Sequence, residues 1–277
     1  MKPPWLNKKI SLKDCATLKE VLKRRSLHTV CEEAQCPNIG ECFAKKQATF
    51  LILGDTCTRG CSFCGVKRGV PLAIDPNEPL RIAECIVELG LKHVVITSVT
   101  RDDLPDYGVS GFVNTIKAIR TLNDKVKIEV LIPDFNADKK ALIELLESKP
   151  DIIAHNVETV PSLYKEVRKG ASYNRSLEVF KIIKSFNLEI PLKSGLMLGL
   201  GERREEVYQV FEDLVEVGCI YLSIGQYLAP SKSHYPVKEY IRPEVFEEHR
   251  LQALSAGFSF VKSSPYVRSS YLAHEYK

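Results

Sequence analysis

The chain has 277 residues, 44% hydrophobic and 27% charged, with 15 Gly and 15 Pro, proportions that exclude a disordered, collagen-like or low-complexity protein. A formal charge of +4 is small, and its basic runs (Lys23-Arg24-Arg25, Lys45-Lys46, Lys67-Arg68, Arg203-Arg204) are too scattered for a nucleic-acid footprint. No apolar run approaches the roughly 20 residues that span a bilayer, and the opening Met1-Lys2-Pro3-Pro4-Trp5 lacks the apolar core of a secretory signal; a cytoplasmic location with no membrane or nucleic-acid partner is expected.

In chain order, residues 1–48 read as an N-terminal extension with a short helix over 18–25 and three cysteines. From residue 49 a regular alternation begins. Apolar, β-branched runs at 49–53, 93–97, 126–132, 152–156, 190–198 and 220–224 predict buried parallel strands. Between and after them, helical periodicity covers 80–89, 111–122, 141–146, 175–186, 205–217 and 243–254. Asp138 and Asn174 are the expected helix caps, Gly90 and Gly218 the expected stops. Six βα units are too few for a closed eightfold barrel, which takes about 250 residues. An α/β fold, a partial (β/α)6 barrel over 49–257, is therefore expected. A doubly wound sheet is the alternative, although no Gly-x-Gly-x-x-Gly follows the first strand. Either arrangement places ligands at the carboxyl ends of the strands. Residues 258–277 read as a polar tail that folds back over the barrel.

The nine cysteines carry the chemistry. Their number is odd and the chain too long to need disulfide staples, so clustered thiols read first as metal ligands. Cys57, Cys61 and Cys64 follow the first strand as C-x₃-C-x₂-C. Three thiolates on one tight loop can wrap a four-iron cubane and leave one iron open to a substrate. Structural zinc, the competing reading, wants four ligands, usually in two pairs, and none stands at that spacing after Cys64. The spacing, with Phe63 inside it, resembles the radical S-adenosylmethionine (SAM) family. That resemblance implies a [4Fe–4S] cluster whose open iron binds the amino and carboxylate groups of SAM. It also implies reductive cleavage to methionine and a 5′-deoxyadenosyl radical.

Upstream, Cys31, Cys36 and Cys42 form a second triplet, C-x₄-C-x₅-C, which needs one more ligand. Cys15 precedes a helix, and Cys85 and Cys219 read as buried, inert thiols. The stretch Val30-Cys31-Glu32-Glu33-Ala34-x-Cys36-Pro37-Asn38, both triplets, Thr97-Ser98-Val99-x-Arg101-Asp102-Asp103-Leu104 and His155-Asn156-Val157-Glu158-Thr159 stand in order along the chain. Lys193-Ser194-Gly195-Leu196-Met197 and Arg268-Ser269-Ser270-Tyr271 follow. Together, from about residue 20 onward, they resemble the lipoyl synthase family. The resemblance implies an auxiliary [4Fe–4S] cluster on Cys31, Cys36, Cys42 and Ser270, with Ser269 the alternative between adjacent hydroxyls. It implies an enzyme of lipoate biosynthesis and protein lipoylation, a sulfurtransferase. Two sulfur atoms would enter at carbons 6 and 8 of a protein-bound octanoyl-lysine, with two SAM consumed and the auxiliary cluster as sulfur source. Implied partners are octanoylated carrier domains (E2 subunits of 2-oxoacid dehydrogenases, the H protein of glycine cleavage) and an electron-donor protein. A tRNA methylthiotransferase and a zinc-stabilised binding barrel are the competing readings.

Around SAM the same likeness and barrel logic place Thr97 and Ser98 at the methionyl part and Asn156 and Glu158 near the ribose. Arg168 is placed at the SAM carboxylate through its planar fork, and Gly199-Leu200-Gly201-Glu202 close to adenine. His155 reads as a satisfied polar residue. Arg101, Asp102 and Asp103 could equally be ion pairs at the barrel mouth.

Overall fold

The computed structural model describes residues 3–7, 16–34, 36–45 and 47–276; Cys15 lies outside them. The N-terminal extension forms α1 (Ala16–Arg24), β1 (His28–Thr29), α2 (Val30–Glu33) and α3 (Ile39–Ala44). Then come β2 (Thr49–Ile52), the two-residue strands β3 (Thr56–Cys57) and β4 (Lys67–Arg68), and α4 (Glu78–Leu89). The alternation continues with β5 (His93–Ser98), α5 (Val109–Leu122), β6 (Lys127–Leu131), α6 (Lys139–Glu147) and β7 (Ile152–Ala154). It ends with α7 (Tyr164–Val167), α8 (Tyr173–Phe186), β8 (Leu192–Leu198), α9 (Arg204–Glu216), β9 (Tyr221–Gln226), α10 (Pro243–Ala256) and β10 (Phe260–Ser263).

The six expected strands are present and lie side by side in chain order, each parallel to the next, from β2 through β5, β6, β7 and β8 to β9. Their near-continuous burial explains the unbroken apolar runs, since helices cover the outer face. The sheet nevertheless has eight strands. β1 adds antiparallel to β2, and β10, inside the tail read as polar, adds parallel to β9. Among the described residues both edges stay open, with β1 and β10 the outermost strands. One cavity touches residues of β2, β5, β6, β8 and β9, so the sheet curls around it as a split barrel.

Local signals set most boundaries. Asp138 caps α6, its side chain accepting from Ala141 N at 2.8 Å. Gly90, at φ +62°, stops α4. The cap of α8 is Ser172, two residues before the expected Asn174; its hydroxyl accepts from Arg175 N. Among the described residues no helix is long and apolar enough to cross a membrane.

Candidate active site

The chain leaves β2 through a strained corner. Leu53 sits at φ +68°, a conformation a branched residue rarely adopts. Two buried polar groups hold it: the Glu78 carboxylate accepts from Leu53 N at 2.8 Å, and Arg101 Nη1 donates to Leu53 O at 3.2 Å. Such strain persists only where the surroundings over-determine it. The corner launches the loop that carries Cys57, Cys61 and Cys64.

That loop is bonded to its neighbours on several sides. Thr58 donates to Thr100 O through both N–H and hydroxyl, at 3.0 and 2.9 Å. Ser62 reaches the end of α7, its N–H to Val167 O at 2.9 Å and its hydroxyl to Glu166 O at 2.8 Å. His234 Nε2 lies 3.1 Å from Cys64 O. The strongest brace is Arg59, between the first two cysteines. Its guanidinium bonds both oxygens of Asp102, at 2.7 and 2.8 Å, and both of Asp134, at 2.8 Å each. Arg175 Nε also donates to Asp134 at 2.8 Å. Burial alone would raise the Asp134 carboxyl, but Arg59 outweighs it and holds the group well below the usual carboxylate range. Asp102 is thus a structural ion-pair partner, as is Asp103, which takes Arg101 at 2.9 Å.

The three thiols face a cavity of about 500 Å³. Thr97, Ser98, Asn156, Glu158, Arg168, Ser269 and Ser270 line it too, and so do Cys31 and Cys36. Every expected SAM contact in the block 97–168 therefore reaches one space. Ser98 Oγ is buried there with no hydrogen-bond partner, an orphan hydroxyl suited to a polar ligand. Thr97 Oγ1 donates instead to Leu131 O at 2.8 Å. Asn156 Nδ2 donates to Glu158 Oε1 at 3.0 Å, and burial raises the Glu158 carboxyl although Arg168 offsets part of the effect. Arg168 Nη1 donates to Tyr164 OH at 2.8 Å and Ser176 Oγ at 3.1 Å. His155 is a satisfied core residue between Ile132 O and Ser176 Oγ, each at 2.9 Å, and burial lowers its ring to about 4.

The Gly199–Glu202 turn does not line the cavity. The Glu202 carboxylate accepts from Gly199 N at 2.6 Å and Leu200 N at 2.9 Å, and Lys238 N donates to Gly199 O at 2.9 Å. The turn is closed on itself and on the segment before α10; Leu196 and Met197 of the same strand face the cavity instead.

The second triplet meets the tail. Cys31, Cys36, Cys42 and Ser270 line a small cavity of about 40 Å³ beside the larger one, with Arg268 and His93. The two serines part company here. Ser269 does not reach the small cavity; its hydroxyl donates to Asn156 Oδ1 at 2.9 Å. Asn38 Nδ2 holds the tail through Tyr266 O at 2.6 Å, and Tyr271 OH donates to Glu41 at 2.8 Å. Gly225 makes room for this path. A Cβ there would stand 2.1 Å from Val267 O, so only glycine lets the tail lie against β9. Cys85 and Cys219 are buried away from both cavities, as expected.

Donor chemistry at both triplets fits an iron–sulfur group: thiols on the wall of shared space, with a hydroxyl at the second. Burial pushes the Cys61 thiol up to about 11 and the Cys31 and Cys64 thiols up to about 12. Only a bound cation would make these thiolates stable at neutral pH. Sequence reading missed Arg59 and Asp134, and gave Arg268, quoted within the tail motif, no place on either cavity. The first two carried a signal, a charge inside the cysteine loop and a carboxylate just past the end of a strand.

The radical SAM superfamily model matches residues 51–214. Lipoyl synthase of Caldicellulosiruptor saccharolyticus is 57% identical over 277 residues, covering 99% of this chain and 96% of that protein. Lipoyl synthase of Geobacter metallireducens is 56% identical over 275 residues, covering 99% and 97%. Among solved structures, methylornithine synthase (PylB) superposes with a TM-score of 0.55 at 15% identity, over 98% of this chain and 89% of its own.

Proposed function

The chain belongs to the lipoyl synthase family of the radical SAM superfamily, and from that premise we propose that it inserts two sulfur atoms, at carbons 6 and 8, into an octanoyl chain carried on a lysine of a small carrier domain. The observation that carries this reading is that Cys57, Cys61 and Cys64 share one cavity with Cys31, Cys36 and Ser270 of the upstream site. A radical made at one wall needs its sulfur acceptor position and sulfur source within the same closed space.

In this reading Cys57, Cys61 and Cys64 hold the SAM-binding [4Fe–4S] cluster, and Cys31, Cys36, Cys42 and Ser270 hold the auxiliary one. Bound there, the clusters supply one electron to each of two SAM molecules and the two sulfurs, so that each C–H bond broken is replaced by a C–S bond and its hydrogen leaves as 5′-deoxyadenosine. The chain's own work is placement and exclusion. Thr97, Ser98, Asn156, Glu158 and Arg168 surround the SAM space with hydroxyl, amide, carboxylate and guanidinium groups. Val30, Leu51, Val99, Leu131, Met197 and Val267 give the remaining wall an apolar surface. An alkyl chain gains by burial against it, and water is displaced. Residues 1–48 then serve as the auxiliary-site extension, 49–257 as the core and 258–277 as the tail that completes the site. The carriers are octanoylated domains of the 2-oxoacid dehydrogenase and glycine cleavage type, reduced equivalents come from an electron-donor protein, and the setting is the cytoplasm.

The test is direct. Reduced, cluster-loaded protein is incubated with SAM and an octanoyl-lysyl peptide, and the peptide is weighed by mass spectrometry. Gain of two sulfurs supports the proposal; 5′-deoxyadenosine formed with an unaltered peptide refutes it.

A further inference from the structure

The residues after Tyr271 reach the base of the split barrel. Tyr276 is fully buried there, against the starting residues of several strands. Its ring packs edge-on against Tyr221 of β9 and Phe260 of β10, with centroids 5.4 and 5.0 Å away. Its hydroxyl pairs with Ser223 Oγ at 2.6 Å, and Ser223 lines the large cavity above. Lys127 Nζ donates to Tyr276 O at 3.1 Å. Lys193 Nζ lies 3.7 Å over the ring while donating to Glu129 at 2.9 Å, and this ion pair has no solvent exposure. A buried pair of that kind tolerates no missing partner, and the aromatic face serves as one for the ammonium.

Between this seat and the serines the tail is tied at each step. Lys262 Nζ donates to Tyr271 O at 3.2 Å and Leu272 O at 2.6 Å and pairs with Glu275 at 2.9 Å. Gln47, just before β2, meets His274 at 2.5 Å. Ser270 therefore lies between the contacts of Tyr266 and Tyr271 with the segment around α3, and the Tyr276 seat holds the chain that follows it.

We propose that Tyr276 is a positioning residue for Ser270: its seat in the barrel base sets the tail so that the serine hydroxyl stays on the small cavity with Cys31, Cys36 and Cys42. This rests on the reading that Ser270 ligates the auxiliary cluster. Tyr276 touches neither cavity's thiols and acts only through the tail.

The test uses the full chain with Cys57, Cys61 and Cys64 all changed to Ala, reconstituted so that bound iron reports the upstream site alone. The rate of iron loss to a chelator is measured by visible absorption. Ser270→Ala and Tyr276→Ala should each speed loss by about tenfold, the usual cost of losing a ligand-orienting contact. The double variant should lose iron no faster than Ser270→Ala, since both changes remove the same contact. Tyr276→Leu keeps apolar bulk and replaces Ala should that variant fail to fold. In the complementary background, with Cys31, Cys36 and Cys42 changed to Ala, Tyr276→Ala should leave iron loss from the SAM site unchanged. Ser270→Ala without effect overturns the ligand reading and this proposal with it. A fast Ser270→Ala beside a parental Tyr276→Ala, additive rates in the double variant, or equal loss at both sites overturns the proposal alone.

Discussion

The two cysteine triplets solve the same problem in opposite ways. Cys57, Cys61 and Cys64 occupy one short loop at the carboxyl end of a strand, and the strongest braces on that loop come from residues just past the barrel's strand ends. Cys31 and Cys42 lie on short helices outside the repeating units and Cys36 in the link between them, and the hydroxyl beside them arrives from the far end of the chain. The first arrangement is local and rigid. The second depends on contacts such as Asn38 to Tyr266, 228 residues apart. A site whose parts come from distant segments can be opened by moving one segment, which suits the consumable sulfur donor proposed above; a site fixed mainly by its own loop suits repeated use.

Mutations should pull the two apart. The largest effect is expected at the local site: changing Cys57, Cys61 or Cys64 to Ala should abolish 5′-deoxyadenosine formation while iron persists at the upstream triplet. Parental SAM cleavage by any of the three would break the comparison. Changing Cys31, Cys36 and Cys42 together to Ala should leave deoxyadenosine formation measurable yet end sulfur transfer to the peptide. Both products quantified in one reaction decide it, and parallel loss of both in a folded protein would make the upstream triplet merely structural.

Arg59→Ala sharpens the rigidity claim. It strips buried Asp134 of its main partner and frees the loop from β5 and β6, a loss of about 4 kcal/mol in unfolding free energy by analogy with broken buried pairs. Denaturant melts of the metal-free protein would measure this, and a loss under about 1 kcal/mol would mean that Arg175 alone suffices. The smallest effect concerns His155, beneath Asn156. Its folded-state value near 4 lies below the ordinary 6.5, so the unfolded chain binds the extra proton first. Stability is full above about pH 6.5 and falls as pH drops toward 4, by on the order of 3 kcal/mol. His155→Gln should flatten that slope between pH 7 and 5; an unchanged slope would assign the acid sensitivity elsewhere.

What could be read from the sequence follows the same division. Strands β2 and β5 to β9, the cap at Asp138 and the loop of Cys57 were legible because each is written in adjacent residues. β10 was not, since Lys262-Ser263-Ser264 looks solvated, and its burial comes from β9 and the tail's own return. Nor did the short run at Lys193 reveal an ammonium sealed inside the barrel, because its partners, Glu129 and Tyr276, lie 64 residues before it and 83 after. The Gly199–Glu202 turn misled in the other direction: glycines near a strand end suggest a ligand, yet here they serve a turn that Glu202 closes. Between Ser269 and Ser270 the sequence has nothing to choose by; in the fold both line the large cavity, and Ser270 lines the small one as well.

The tail's late position also sets a timetable during synthesis. Residues 31–42 leave the ribosome long before Tyr266 and Ser270 exist, and at about 5–20 residues per second the interval is on the order of 10–50 s. Throughout it the three upstream thiols lack the tail that closes their cavity, whereas the 57–64 loop gains its partners one after another, from Thr100 and Asp134 to Val167 and His234. A nascent chain therefore passes through a stage in which one site is nearly finished and the other has no lid, and iron delivered at that stage meets two very different receptors.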